Sequence, residues 1–169
     1  MMVEGCGHPE CNMCGCAHAN KQSAATAAAA SGYVYAHMPP QVKILYSGFE
    51  VGVEVQTGAR LSTCSAKSNP CRQAMISYEG GEGKSRFSWD PLTTVAAVRG
   101  AAGVGCTECT NCDGVNKVDP ATGNNEWVPG AKSNQTYLIL HDAKAASNTI
   151  DTLVCQQPKK QQAIKTSEV

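Results

Sequence analysis

The stretch Gln41-Val42-Lys43-Ile44-Leu45-Tyr46-Ser47-Gly48-Phe49-Glu50-Val51-Gly52-Val53-Glu54-Val55-Gln56 decides the expected fold. Val42, Ile44 and Tyr46 alternate with Lys43 and Leu45; Phe49, Val51, Val53 and Val55 alternate with Glu50, Gly52, Glu54 and Gln56. A period of two is the pattern of half-buried strands, and Ser47-Gly48 and Thr57-Gly58 supply turns between them. Further strands are predicted at 74–78 and 86–89, joined across Gly80-Gly81-Glu82-Gly83, then at 93–98, 136–141 and 150–156. The spacing predicts a mainly β fold, a small antiparallel barrel or sandwich.

Outside that core the chain changes character. Residues 1–20 are dense in Cys, His and Gly and carry no apolar periodicity, so a metal or a partner must order them. Residues 21–40 form an Ala-rich arm or linker: 20–31 have good helix propensity, Tyr33-Val34-Tyr35 is strand-like, and Pro39-Pro40 enforces an extended break. The β domain runs over 41–157 with a Cys-, Gly- and Asn-rich loop inserted at 100–133, and a polar tail fills 158–169. A loop of that length is unusual unless something fixes it.

Two cysteine constellations carry the expected chemistry. The first is Cys6, Cys11, Cys14 and Cys16, with His8 and His18 among them. Cys11-x2-Cys14 matches a zinc knuckle, in which one tight turn aims two thiolates at one ion, and the flanking residues complete four ligands locally. A disulfide-linked or redox-sensitive arm is the competing reading. The second is Cys106-Thr107-Glu108-Cys109-Thr110-Asn111-Cys112, three thiolates around one loop. It resembles the first three ligands of bacterial ferredoxins, which implies a [4Fe–4S] cluster completed by a remote cysteine. The fourth cysteine that those proteins place three residues later is replaced here by Asp113-Gly114-Val115-Asn116. Zinc, the preferred metal, accepts the same three thiolates plus one ligand from Cys64, Cys71 or Cys155. Cys64 and Cys71 bracket a polar turn at 65–70 and are expected to join the ion of the second cluster, a local disulfide or two unrelated thiols being the alternatives. Cys155 ends an apolar run and reads equally as a core thiol.

Other motifs do not carry a reaction. Gly83-Lys84-Ser85 ends like a phosphate-binding loop, but Tyr78 stands where the leading glycine is required. Residues 100–105 are glycine-rich without a following helical pattern. The oxygen-rich run 113–126 misses EF-hand spacing and reads as Asx-type turns. No G-x-S-x-G elbow is present, and His141-Asp142 lacks a nucleophile in sequence. The expected protein is not an enzyme.

Composition bounds the partners. The 14 basic and 14 acidic residues cancel, and neither sign forms a block, which disfavours phosphate-driven binding to nucleic acid. Charged residues make up 17 % of the chain against roughly 25 % in ordinary soluble domains, and small residues abound. Such a surface suits a metal-stabilised subunit that packs against copies of itself or other assembly subunits, a phage or virus particle being one setting that fits; an iron–sulfur redox module and a zinc-dependent adaptor that binds protein or nucleic acid are the alternatives. The N-terminus has no basic and apolar leader and no run reaches the ~20 apolar residues of a membrane span, so synthesis in a reducing cytosol is expected, with later incorporation in a virion allowed. In that compartment clustered thiols are metal ligands more often than disulfides.

Overall fold

The computed structural model describes residues 21–156, with side chains from Thr26 onward. Its elements run α1 (Lys21–His37), β1 (Ile44–Tyr46), α2 (Phe49–Val53), β2 (Gln56–Thr57), α3 (Leu61–Cys64), α4 (Pro70–Glu79), β3 (Arg86–Phe87), α5 (Trp89–Arg99), a 3-10 turn (Ala101–Val104), β4 (Cys106–Glu108), β5 (Gly114–Val118), β6 (Asn125–Pro129), β7 (Gln135–Leu140) and α6 (Ala143–Val154). The architecture is mixed α/β, 44 % helix and 20 % strand, with small open sheets. This overturns the mainly β barrel or sandwich expected from the alternating pattern. The segments at 74–78, 93–98 and 150–156, expected as strands, fall largely or wholly in α4, α5 and α6.

The reason lies at the ends of those helices. Asn69 caps α4, its side chain accepting from Arg72 N at 3.1 Å, Pro70 occupies the first turn, and Gly80 closes the helix at φ 69°. Asp142 caps α6, accepting from Ala145 N at 2.8 Å. A capping side chain satisfies a backbone N–H that has no partner inside the helix, and a left-handed glycine stops the helix without strain. These local signals outweigh the β-branched composition between them. In the deciding stretch, Phe49–Val53 closes into the single turn α2, which buries Val51 and Gly52, and Val55 is buried just beyond its end. Over so few residues the two periods cannot be separated.

Three small sheets result. β7 is central to the largest, pairing parallel with β1 (Ile44↔Gln135, Tyr46↔Tyr137) and antiparallel with β4 (Cys106↔Leu140, Glu108↔Leu138). β2 and β3 form a two-residue ribbon, and β5 and β6 a hairpin from Gly114↔Pro129 to Val118↔Asn125. The predicted structureless insertion at 100–133 therefore holds three strands. Its Asx reading is met at the hairpin tip, where Asp119 accepts from Ala121 N at 2.9 Å and from Thr122 Oγ1 at 2.7 Å; the Thr122 hydroxyl, then the Ala121 amide, hold this carboxyl below the usual range.

The core joins α2, α5, the 3-10 turn, β4, β7 and α6 through Val51, Val55, Leu92, Ala96, Ala101, Val104, Cys106, Leu138, Ala146 and Ile150. It is made of small and medium side chains. A second, aromatic cluster seats α1 and the hairpin on β1 and β7: Tyr35 lies 5.8 Å from Tyr46, Tyr46 6.4 Å from Trp127, and Trp127 5.1 Å from Tyr137 between ring centroids. α1 is longer than expected, absorbing Tyr33-Val34-Tyr35, and stops ahead of Pro39-Pro40 as the sequence predicts. None of the described helices is long and apolar enough to cross a membrane.

Candidate functional site

Six cysteines fall among the described residues, and the fold uses them in three ways. Cys64, at the end of α3, is joined to Cys155, the C-cap of α6, with Cα atoms 5.5 Å apart and a sequence separation of 91. Cys109 is joined to Cys112 at a sequence separation of 3, Cα atoms 5.7 Å apart. Cys71, in the first turn of α4, is an exposed thiol, and Cys106 is a buried one.

The first cross-link works beside a hydrogen bond. Asp151 on α6 is buried and accepts from Gly58 N at 2.8 Å, so the C-terminal half of α6 is tied to the β2–α3 segment at two points. Closing a loop of 91 residues stabilises a fold by about 4.5 kcal/mol at room temperature in the chain-entropy account, whereas a three-residue loop contributes only about 2. The two bonds therefore differ in what they do. Cys64–Cys155 is a clamp, and Cys109–Cys112 adds little to global stability.

The sequence assigned metal to Cys64, Cys71, Cys106, Cys109 and Cys112. The fold joins Cys109 to Cys112, and among the described residues no three His, Cys, Asp or Glu side chains form a metal-holding group. Cys106 opens β4 and is 2 % exposed; its Sγ donates to Val104 O at 3.5 Å, and burial pushes its thiol pKa up. Cys6, Cys11, Cys14 and Cys16, with His8 and His18, lie outside the described residues. His141 is placed at the surface, its Nε2 2.8 Å from Thr107 Oγ1.

Sequence reading missed a second feature, a cleft of about 380 Å³ between α4, β3 and the start of α5. Met75, Phe87, Trp89 and Pro91 supply its apolar wall, and Arg86, Thr57, Ser88 and Asp90 its polar one. Trp89 is fixed from both sides: its Nε1 donates to Phe49 O at 2.9 Å, and its ring stacks on Phe49 with centroids 5.5 Å apart. The Thr57 and Ser88 hydroxyls, both buried, bond to each other. On the rim, Arg86 lies over the Tyr78 ring at 4.0 Å and is held by Glu79 at 3.3 Å, while Tyr78 remains 68 % exposed. The signal for this cleft is the run Phe87-Ser88-Trp89-Asp90-Pro91, two aromatics and a proline beside Ser88, which overlaps the strand expected at 86–89. A larger hollow of about 470 Å³ at the β5–β6 tip is lined by turn residues such as Asp119, Pro120 and Asn124, and its chief carboxylate is already spent inside the turn.

No protein-family model, curated protein or solved structure matches this chain.

Proposed function

We propose that this chain is a non-enzymatic assembly subunit that associates with copies of itself through the Met75–Phe87–Trp89 cleft and the exposed Tyr78 beside it. The observation that carries the reading is the composition of that patch. Aromatic residues, Met and Arg are the types enriched at protein interfaces, and here they converge while the nearby hydroxyls are paired with each other. Zero net charge removes the long-range repulsion that keeps many small domains apart. Val98 on α5, 79 % exposed, adds apolar surface outside the patch. Two cross-links suit a subunit that ends in oxidising surroundings, a phage or virus particle being one such setting. Within this reading, Cys6, Cys11, Cys14 and Cys16 are the proposed zinc set, testable by elemental analysis of the purified protein.

Sedimentation across a hundredfold range of concentration tests the association. A mass that rises to a multiple of 17.7 kDa, and falls back in Tyr78→Ser/Phe87→Ser, is expected. A strict monomer at the highest concentration overturns the proposal.

A further inference from the structure

We propose that Cys109 and Cys112 form a site of reversible thiol–disulfide exchange with low-molecular-weight thiols, opening and closing without loss of the fold. The case rests on what holds the two residues in place. Cys109 N donates to Tyr137 O at 2.9 Å, and Thr136 Oγ1 donates to Cys109 O at 2.7 Å, so both sides of its peptide are fixed to β7. On the other flank, Gly130 N donates to Asp113 O at 3.1 Å and Ser133 Oγ to Gly114 O at 2.5 Å, which anchors the residues after Cys112 to the hairpin. The intervening Thr110 and Asn111 are exposed and both cysteines are half-buried, leaving the sulfurs open to a small nucleophile. The scaffold holds the pair together whether or not the bond is present. Opening it exposes no buried core, unlike opening Cys64–Cys155, which frees the end of α6.

The step balances with a monothiol such as glutathione. A thiolate RS⁻ attacks one sulfur of the pair, forming a mixed disulfide and breaking the Cys109–Cys112 bond; the released thiolate takes up a proton. A second RS⁻ attacks the mixed disulfide, giving RSSR and the second protein thiol. Two electrons pass from two RSH to the pair, and the reverse reaction with RSSR restores the bond. Cys106, three residues away, takes no part because it is buried in the core.

The test equilibrates the intact chain in glutathione buffers of graded ratio, traps thiols by alkylation and maps each cysteine by mass. Labelling of Cys109 and Cys112 is expected to rise together, with Cys106 labelling and the near-ultraviolet circular dichroism changing less than about twofold. Reoxidation restores the same pair. In Cys109→Ser, Cys112 is expected to accumulate a stable glutathione adduct at least about tenfold above the wild type, because the resolving thiol is gone. The proposal fails if the pair opens only together with global unfolding, if reoxidation gives a bond to Cys106 or Cys71, or if the adduct builds equally in both proteins.

Discussion

The indole of Trp89 lies directly against Gly52: a Cβ at position 52 would overlap its Cδ1 and Cγ and come within 2.6 Å of its Nε1. Replacing a helical glycine by alanine ordinarily stabilises by up to ~1 kcal/mol. Here overpacking decides the sign, and Gly52→Ala is expected to destabilise the fold by about 2 kcal/mol. A double-mutant cycle by urea denaturation checks the cause: in a Trp89→Ala background the penalty at position 52 should vanish or reverse. An equal penalty in both backgrounds would assign the cost elsewhere.

Replacing both Cys64 and Cys155 by serine is expected to lower stability by about 4 kcal/mol, and replacing both Cys109 and Cys112 by no more than about 2. Denaturation without reductant measures both. The order of the two losses is the decisive result, since it follows from the separations of 91 and 3 residues.

Asp151→Ala leaves the buried Gly58 N–H without its acceptor and is expected to cost about 1–3 kcal/mol. Asp151→Asn keeps an acceptor oxygen and should recover most of that loss. Amide exchange at Gly58 reports the hydrogen bond itself, speeding in the alanine variant and staying slow in the asparagine variant.

Burial, reinforced by the neighbouring Tyr35, pushes the Tyr46 phenol far above its ordinary range, against a smaller opposing effect of a hydrogen bond with Asn116. A raised folded-state pKa means that the folded chain holds this proton after the unfolded chain has lost it. The associated stability is complete below pH ~10 and drains away as pH rises above that value. Tyr46→Phe, which gives up the 3.2 Å hydrogen bond to Gln135, should flatten the alkaline fall while costing about 1 kcal/mol near neutrality. Stability measured across the alkaline range separates the two effects.

What was legible in the sequence follows the strength of local signals. The alanine run and Pro39-Pro40 marked α1 and its end, and residues 136–141 were recognised as strand β7 apart from the shift of one residue at each end. The alternation of Val51, Val53 and Val55 misled because Val51 and Val53 lie in the short turn α2 and Val55 just beyond it, and because the requirement for Gly52 is set by Trp89, 37 positions away. Asn69-Pro70 and Gly80 punctuate α4, but the polar turn at 65–70 and the glycine-rich link at 80–83 read equally as turns. The pairing of Cys64 with Cys155 was not legible at all, since nothing in the spacing says that α3 and the end of α6 meet. Cys106 shared a motif with Cys109 and Cys112, but strand alternation turns it into the core.

A peptide map of the intact chain, alkylated and digested without reductant alongside elemental analysis, tests most directly whether the described cysteines are cross-links. Cys64–Cys155 and Cys109–Cys112 as linked peptides, with Cys71 and Cys106 recovered as alkylated thiols once the chain is unfolded, is the predicted result. Cys106, Cys109 and Cys112 found reduced and jointly protected by a bound metal, or Cys64 linked to Cys71, would contradict it.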